Sequence, residues 1–125
     1  MIHGIGTDIV QVARMRQSLE RYGERFARRV LAASEQDGFS ASRDPARFLA
    51  KRFAAKEAFG KAFGTGVTAP ATLHAVAVDH DELGKPLFCF DDSLADFLRA
   101  RGLNAHLSLT DEMDYVVAFA LIEKR

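Results

Sequence analysis

Apolar and polar positions along the chain follow two periods, and the changes from one to the other divide it into elements. Ile2, Ile5, Ile9 and Val10, punctuated by Gly4 and Gly6, predict a short buried strand that runs out near Asp8. Val12, Met15, Leu19, Tyr22, Phe26 and Val30 then recur at spacings of three and four, which predicts one amphipathic helix with a single side on the core. Asp44 followed by Pro45 predicts the start of another helix, since aspartate caps free N–H groups and proline tolerates the first helical position. That helix is expected to end by Gly64, in the GTG of residues 64–66. Beyond Pro70, the runs 74–78 and 87–90 read as strands around a turn made from DHDELGKP, residues 79–86. Residues 92–101 suit a short helix with Leu94, Phe97 and Leu98 inward and Gly102 as its stop. HLSL and YVVAFALIE, separated by TDEMD, predict a second hairpin. The sum is a single α+β domain over residues 1–125, with helices inserted after the first strand and a mainly antiparallel sheet.

The pattern is interrupted inside the helix expected at 45–64. With side chains placed at about 100° per residue, Phe48, Leu49, Phe53, Ala55, Phe59, Ala62 and Phe63 form an apolar stripe. Arg52 and Lys56 fall inside that stripe. Glu57 and Lys61 lie one turn apart beyond its edge, beside Ala50, Ala54 and Ala58, whose small side chains leave room for another group to approach. A helix serving only the core has less use for an acid and several bases so placed.

Composition narrows the classes. The 125 residues are 48% hydrophobic with a formal net charge of zero, which suits one domain and gives no support to a nucleic-acid binder relying on a large positive field. Cys89 is the only cysteine, so no internal disulfide or cysteine-rich zinc site can form within one chain, and a reducing cytoplasm fits. No basic segment followed by a long apolar one stands at the N-terminus, and no run of about 18 apolar residues occurs, so neither secretion nor a membrane span is expected. Charge is nonetheless uneven. Residues 14–29 hold six arginines against Glu20 and Glu24. Arg14, Arg21, Arg25 and Arg28 step by seven, four and three, so on one helix they form a positive stripe suited to an acidic partner.

Candidate chemistry begins with Asp8 and Glu57. Two carboxylates from a strand end and a helix make a poor calcium cage but suit Mg²⁺, which keeps waters and completes its shell with substrate phosphates. Lys61 can either pair with Glu57 at i,i+4 or serve a phosphate. Arg52 and Lys56 can snorkel from the apolar stripe or bind phosphate oxygens, Arg as a fork of donors and Lys as a point charge. The GTG beginning at Gly64 can stop the helix or present N–H groups to an anion, but lacks the spacing of a Walker A loop. His106 alternates with Leu107 and Leu109, and spacing assigns it no role.

GIGTDIV at 4–10, RFARRVLAASE at 25–35, FLAKRFAAKEAFGKAFGTG at 48–66, GKP at 84–86 and HLSLTDE at 106–112 together resemble the bacterial holo-acyl-carrier-protein synthases of the 4′-phosphopantetheinyl transferase superfamily. The resemblance spans the whole chain, and the paired GTDIV and FAAKEAFGKA segments are its specific part. It implies transfer of the phosphopantetheine arm of coenzyme A to a serine of apo-acyl carrier protein, releasing adenosine 3′,5′-bisphosphate and supporting fatty acid synthesis. Under it, Asp8 and Glu57 hold Mg²⁺ against the diphosphate, and Lys61 contacts that phosphate and assists the leaving group. Arg52 and His106 touch other coenzyme A phosphates, while Gly84, Lys85 and Pro86 form a loop near the adenine. The general base is either Glu57 or a water on the metal. The acidic carrier supplies a partner for Arg14, Arg21, Arg25 and Arg28. The resemblance further implies a homotrimer with active sites between neighbouring chains, the HLSLTD strand approaching the adjacent site. Asp111 departs from the pattern, because many members have histidine there, and an aspartate would repel phosphate unless it faced away or met a cation. Two other classes share part of these features: an adaptor that docks an acidic protein through its arginines, and a Mg²⁺-dependent phosphohydrolase of small nucleotides.

Overall fold

The computed structural model describes Met1–Arg125. Strand β1 (Ile2–Gln11) leads into helices α1 (Val12–Tyr22) and α2 (Glu24–Val30), a 3₁₀ turn (Ala33–Glu35), α3 (Gln36–Ala41) and the long α4 (Pro45–Phe63). Hairpin strands β2 (Val76–His80) and β3 (Pro86–Phe90), helix α5 (Asp92–Ala100) and strands β4 (Leu103–Asp111) and β5 (Tyr115–Lys124) complete the chain. All strand pairing is antiparallel, as expected, but it forms two sheets: β1-β5-β4 and β2-β3. No helix is long and apolar enough to cross a membrane.

Helix α4 lies between the sheets and is buried on most of its circumference. Asp44 caps its start, accepting a hydrogen bond from the Arg47 N–H at 3.2 Å. On one side Phe59 packs against Phe88 and Phe90 of β3 at ring-centroid distances of 5.3 and 5.1 Å. On the other, Ala50, Ala54, Ala58 and Ala62 are buried at four-residue spacing. The space left by these alanines is filled by β1, so it is not an approach for a ligand. A Cβ on Gly4 would lie 2.0 Å from the Ala62 carbonyl oxygen, and one on Gly6 would lie 2.1 Å from that of Ala58. Glycine at both positions lets strand and helix backbones touch.

That contact sets a register. Gly4 meets Ala62 and Gly6 meets Ala58, so two strand residues, about 7 Å, span four helical residues, about 6 Å. One further step brings Asp8, on the same face of β1, to the turn of α4 that contains Glu57. The opposite face of the three-stranded sheet leaves Ile5, Ile9, Val117 and Phe119 exposed.

The single helix expected over 12–30 is two. At Gly23 φ is 62°, a left-handed conformation favourable to glycine, and its N–H closes α1 on the Leu19 carbonyl at 2.8 Å. The three-and-four spacing continues through the break, because α2 also turns its apolar residues inward: Ala27 and Val30 are buried.

Candidate active site

Asp8 and Glu57 open on one cavity of about 550 Å³, which Gln11, Arg14, Ser18 and Tyr115 help to line. Both carboxyl groups are held above their ordinary pKa. Burial is the main cause in each, and for Glu57 the nearby Asp8 charge adds to it. Lys61 opposes both shifts, yet does not cancel them. Its ammonium donates to the Thr7 carbonyl at 2.8 Å and reaches Asp8 Oδ1 at 3.5 Å. Lys61 forms no ion pair with Glu57, so the i,i+4 alternative is absent and the lysine bridges to β1 instead. Its side chain stays about half exposed.

Lys56 is different, and its assignment as a phosphate ligand is corrected by its surroundings. The side chain is 1% exposed. The ammonium donates to Glu35 Oε1 at 2.6 Å, the Val30 carbonyl at 2.7 Å and the Leu73 carbonyl at 2.8 Å, which occupies all three N–H groups. Burial pulls its pKa down while Glu35 pulls it back up. Gly64 is likewise corrected as an anion contact. Its N–H and that of Gly66 both donate to the Gly60 carbonyl at 3.0 Å, so the loop serves as a helix stop. Gly60 permits the return, since a Cβ there would lie 2.7 Å from the Gly66 carbonyl carbon.

The remaining anion-binding candidates do not share the Asp8–Glu57 cavity. The Arg52 guanidinium lies 3.9 Å from the Phe48 ring centroid and lines a separate pocket with Ser34, Asp79 and Cys89. Its Nε faces Glu35 Oε2 at 3.5 Å without forming a hydrogen bond. Lys85, Pro86 and His106 line a third pocket between β3 and β4. The turn before it is built by Asp81, whose carboxylate accepts from the N–H groups of Leu83 and Lys85 and whose carbonyl accepts from Gly84. Gly84 has φ 87°, which the turn requires. His106 Nε2 is 2.9 Å from Glu123 Oε1 on the neighbouring strand.

The arginines expected on one helix are carried by two, Arg14 and Arg21 on α1 and Arg25 and Arg28 on α2. Arg14 and Arg21 are exposed on α1, and only Arg14 borders the acidic cavity. Arg25 lines an adjoining apolar pocket with Phe26 and Phe53, which also border the acidic cavity. Arg28 pairs with Glu24 at 3.0 Å. Asp111 meets cations: Arg47 Nη1 is 2.9 Å away and Lys51 Nζ 3.6 Å. Arg47 also donates to the carbonyls of Glu112 and Met113, fixing the β4–β5 turn. Sequence reasoning missed Arg47, Tyr115, Phe26 and Phe53. Only the two phenylalanines carried a signal, through their place in the helical patterns.

A sequence model described as the 4′-phosphopantetheinyl transferase superfamily matches residues 4–120, and the chain belongs to that superfamily. Among its relatives is the holo-[acyl-carrier-protein] synthase of Aromatoleum aromaticum, 79% identical over the full length of both chains. That of an Azoarcus species is 75% identical over the same span. The crystal structure of the Neisseria meningitidis holo-[acyl-carrier-protein] synthase superposes with a TM-score of 0.95 at 43% identity, covering 99% of this chain and 100% of that one. A Bacillus anthracis holo-(acyl-carrier-protein) synthase in complex with CoA (3′,5′-ADP) gives 0.85 at 30% identity, covering 100% and 99%. The chain is an enzyme of this kind, a phosphopantetheinyl transferase.

Proposed function

We propose that the enzyme moves the 4′-phosphopantetheine arm of coenzyme A onto a serine hydroxyl of an apo-acyl carrier protein, in a Mg²⁺-dependent reaction of the cytoplasm that supports fatty acid synthesis. The observation that carries this reading is the convergence of Asp8 and Glu57 on one cavity bordered by Arg14. Two carboxylates that are desolvated, with Glu57 further raised by Asp8, are stabilised in their ionised forms by a shared divalent cation, and an oxygen donor set suits Mg²⁺. When bound, the ion neutralises charge at the diphosphate oxygens.

The chain's own residues do the rest. Asp8 and Glu57 hold the site against β1 and α4. Lys61, anchored by the Thr7 carbonyl yet half exposed, has donor capacity left for the phosphate that departs with adenosine 3′,5′-bisphosphate. Arg14 and Arg21 meet the acidic carrier, and the Phe26–Phe53 pocket beside Arg25 receives its apolar side chains. The serine proton goes either to Glu57, which lines the cavity, or to a water held there.

The same reading includes a homotrimer with sites between chains. Two features support it. The outer face of the three-stranded sheet exposes Ile5, Ile9, Val117 and Phe119, with Ile9 63% accessible. The coenzyme contacts inferred for Lys85, Pro86 and His106 lie in a pocket apart from Asp8 and Glu57, so a second chain is the means of bringing both sets to one ligand.

The test is to incubate the enzyme with coenzyme A, Mg²⁺ and an apo-carrier protein and to weigh the carrier. A mass gain equal to phosphopantetheine is expected. An unmodified carrier with cleaved coenzyme A supports hydrolysis instead, and an unmodified carrier bound to intact enzyme supports an adaptor. Sedimentation at equilibrium is expected to give three chains per particle.

A further inference from the structure

We infer that the buried Glu35–Lys56 pair is a positioning device for the acidic site, setting the rotation and axial placement of α4 so that Glu57 faces Asp8. The inference rests on the proposal that Asp8 and Glu57 share a divalent cation.

Lys56 precedes Glu57 directly, and its ammonium is tied to three separate segments: the end of α2 through Val30, the 3₁₀ turn through Glu35 and the loop before β2 through Leu73. Glu35 is itself fixed. Its Oε1 also accepts from the Ala32 N–H at 2.9 Å, and its Oε2 accepts from the Val78 N–H in β2 at 3.0 Å. The same carboxylate faces Arg52 Nε at 3.5 Å, one turn earlier on α4. One immobile acid therefore faces cations on two successive turns of the helix, hydrogen-bonded to Lys56 and held to Arg52 by charge alone. A bonded contact with a charge contact one turn earlier restrains rotation about the axis as well as sliding along it.

The sensitivity follows from the geometry of a helix. Side-chain ends lie about 5–6 Å from the axis, so a rotation of about 10° moves a carboxylate by about 1 Å. A shift of about 1 Å at a reacting site can cost about a hundredfold in rate. Stability alone is a weak reason for the pair, because well-packed apolar side chains in place of a buried ion pair are often neutral or stabilising. Glycine contacts between β1 and α4 already fix where Asp8 stands. The Glu35–Lys56 pair acts on the opposite partner, from the far side of the helix.

The experiment compares wild-type enzyme with Lys56→Met/Glu35→Gln, which removes both charges and shortens only position 56, by one atom, and with Glu35→Asp, which keeps both charges and shortens the grip by one methylene. Each is measured for Mn²⁺ affinity by calorimetry, for transfer to an apo-carrier and for melting temperature. The double variant is expected to melt below wild type, since the Val30 and Leu73 carbonyls lose their donor, and in the folded protein Mn²⁺ affinity and turnover are both expected to fall at least about tenfold, the KM for the carrier being unchanged. A folded double variant within twofold of wild type in both properties overturns the inference. If the double variant does not fold, Glu35→Asp decides: Mn²⁺ affinity reduced severalfold supports positioning, and unchanged affinity overturns it. A wild-type enzyme that binds Mn²⁺ yet leaves the carrier unmodified overturns the transferase mechanism only, since calorimetry still reads the placement of the acids. A wild-type enzyme that binds no Mn²⁺ overturns the inference with the metal site.

Discussion

Lys56 and Lys61 stand five residues apart on one helix, each beside a carboxylate from another element, in opposite surroundings. Lys56 meets Glu35 at 2.6 Å with both side chains 1% exposed, and every donor has a partner. Lys61 meets Asp8 at 3.5 Å with its own side chain half in solvent, and the acid beside it is held above its ordinary pKa despite the lysine. A satisfied pair of charges builds the scaffold. An acid that its own lysine does not fully compensate is where an incoming cation gains most.

The largest expected effect separates the two lysines by stability. Lys56→Met alone leaves Glu35 buried without its ammonium and is expected to destabilise the fold by about 3–5 kcal/mol in chemical denaturation. Lys61→Met is expected to cost less than about 1 kcal/mol, as exposed pairs do. Equal losses would break the contrast.

Next, Asp8→Asn and Glu57→Gln are each expected to lower transfer by more than about 100-fold, beyond the loss typical of an outer-shell partner, measured by carrier mass. Both substitutions are expected to raise the melting temperature in chelator near neutral pH. A carboxyl group whose pKa is higher in the fold than in the unfolded chain binds more protons when folded, so ionisation lowers stability as pH rises through that window. The neutral amides escape this loss. A fall in melting temperature for both would contradict the assigned strain.

Arg14→Glu together with Arg21→Glu is expected to raise the KM for the carrier about tenfold at low salt and by less at high salt. Arg28→Glu is expected to do less to the carrier, because Arg28 is already engaged with Glu24. The smallest effect concerns pH. Divalent-cation affinity, followed by calorimetry, is expected to start falling on acidification at a higher pH than the ordinary carboxylate range, since proton and metal compete for groups with raised pKa. A decline confined to the ordinary range would place the acids in solvent.

Much of the fold could be read locally. The Asp44–Pro45 start, the Gly64 stop and the alternation of β5 are each fixed by neighbours along the chain. The break at Gly23 was concealed because both helices keep their apolar residues on the core side. The role of Lys56 was hidden for a different reason: Glu35 lies 21 residues away, and a lysine inside an apolar stripe is equally consistent with snorkelling, a ligand contact or a buried pair. Asp111 shows the converse. Its identity announced a departure from the family pattern, and only the position of Arg47 and Lys51 shows how the charge is met.

Local patterning by itself marked the strands, α4, α5 and the two acids proposed to hold the metal, because caps, glycines and alternating periods act over a few residues, and resemblance of whole motifs supplied the family. Tertiary structure decided which charges remain available. Availability depends on the partners and solvent that long-range packing brings to each group, and α4 acquires those only when β1 closes on one side and Glu35 on the other.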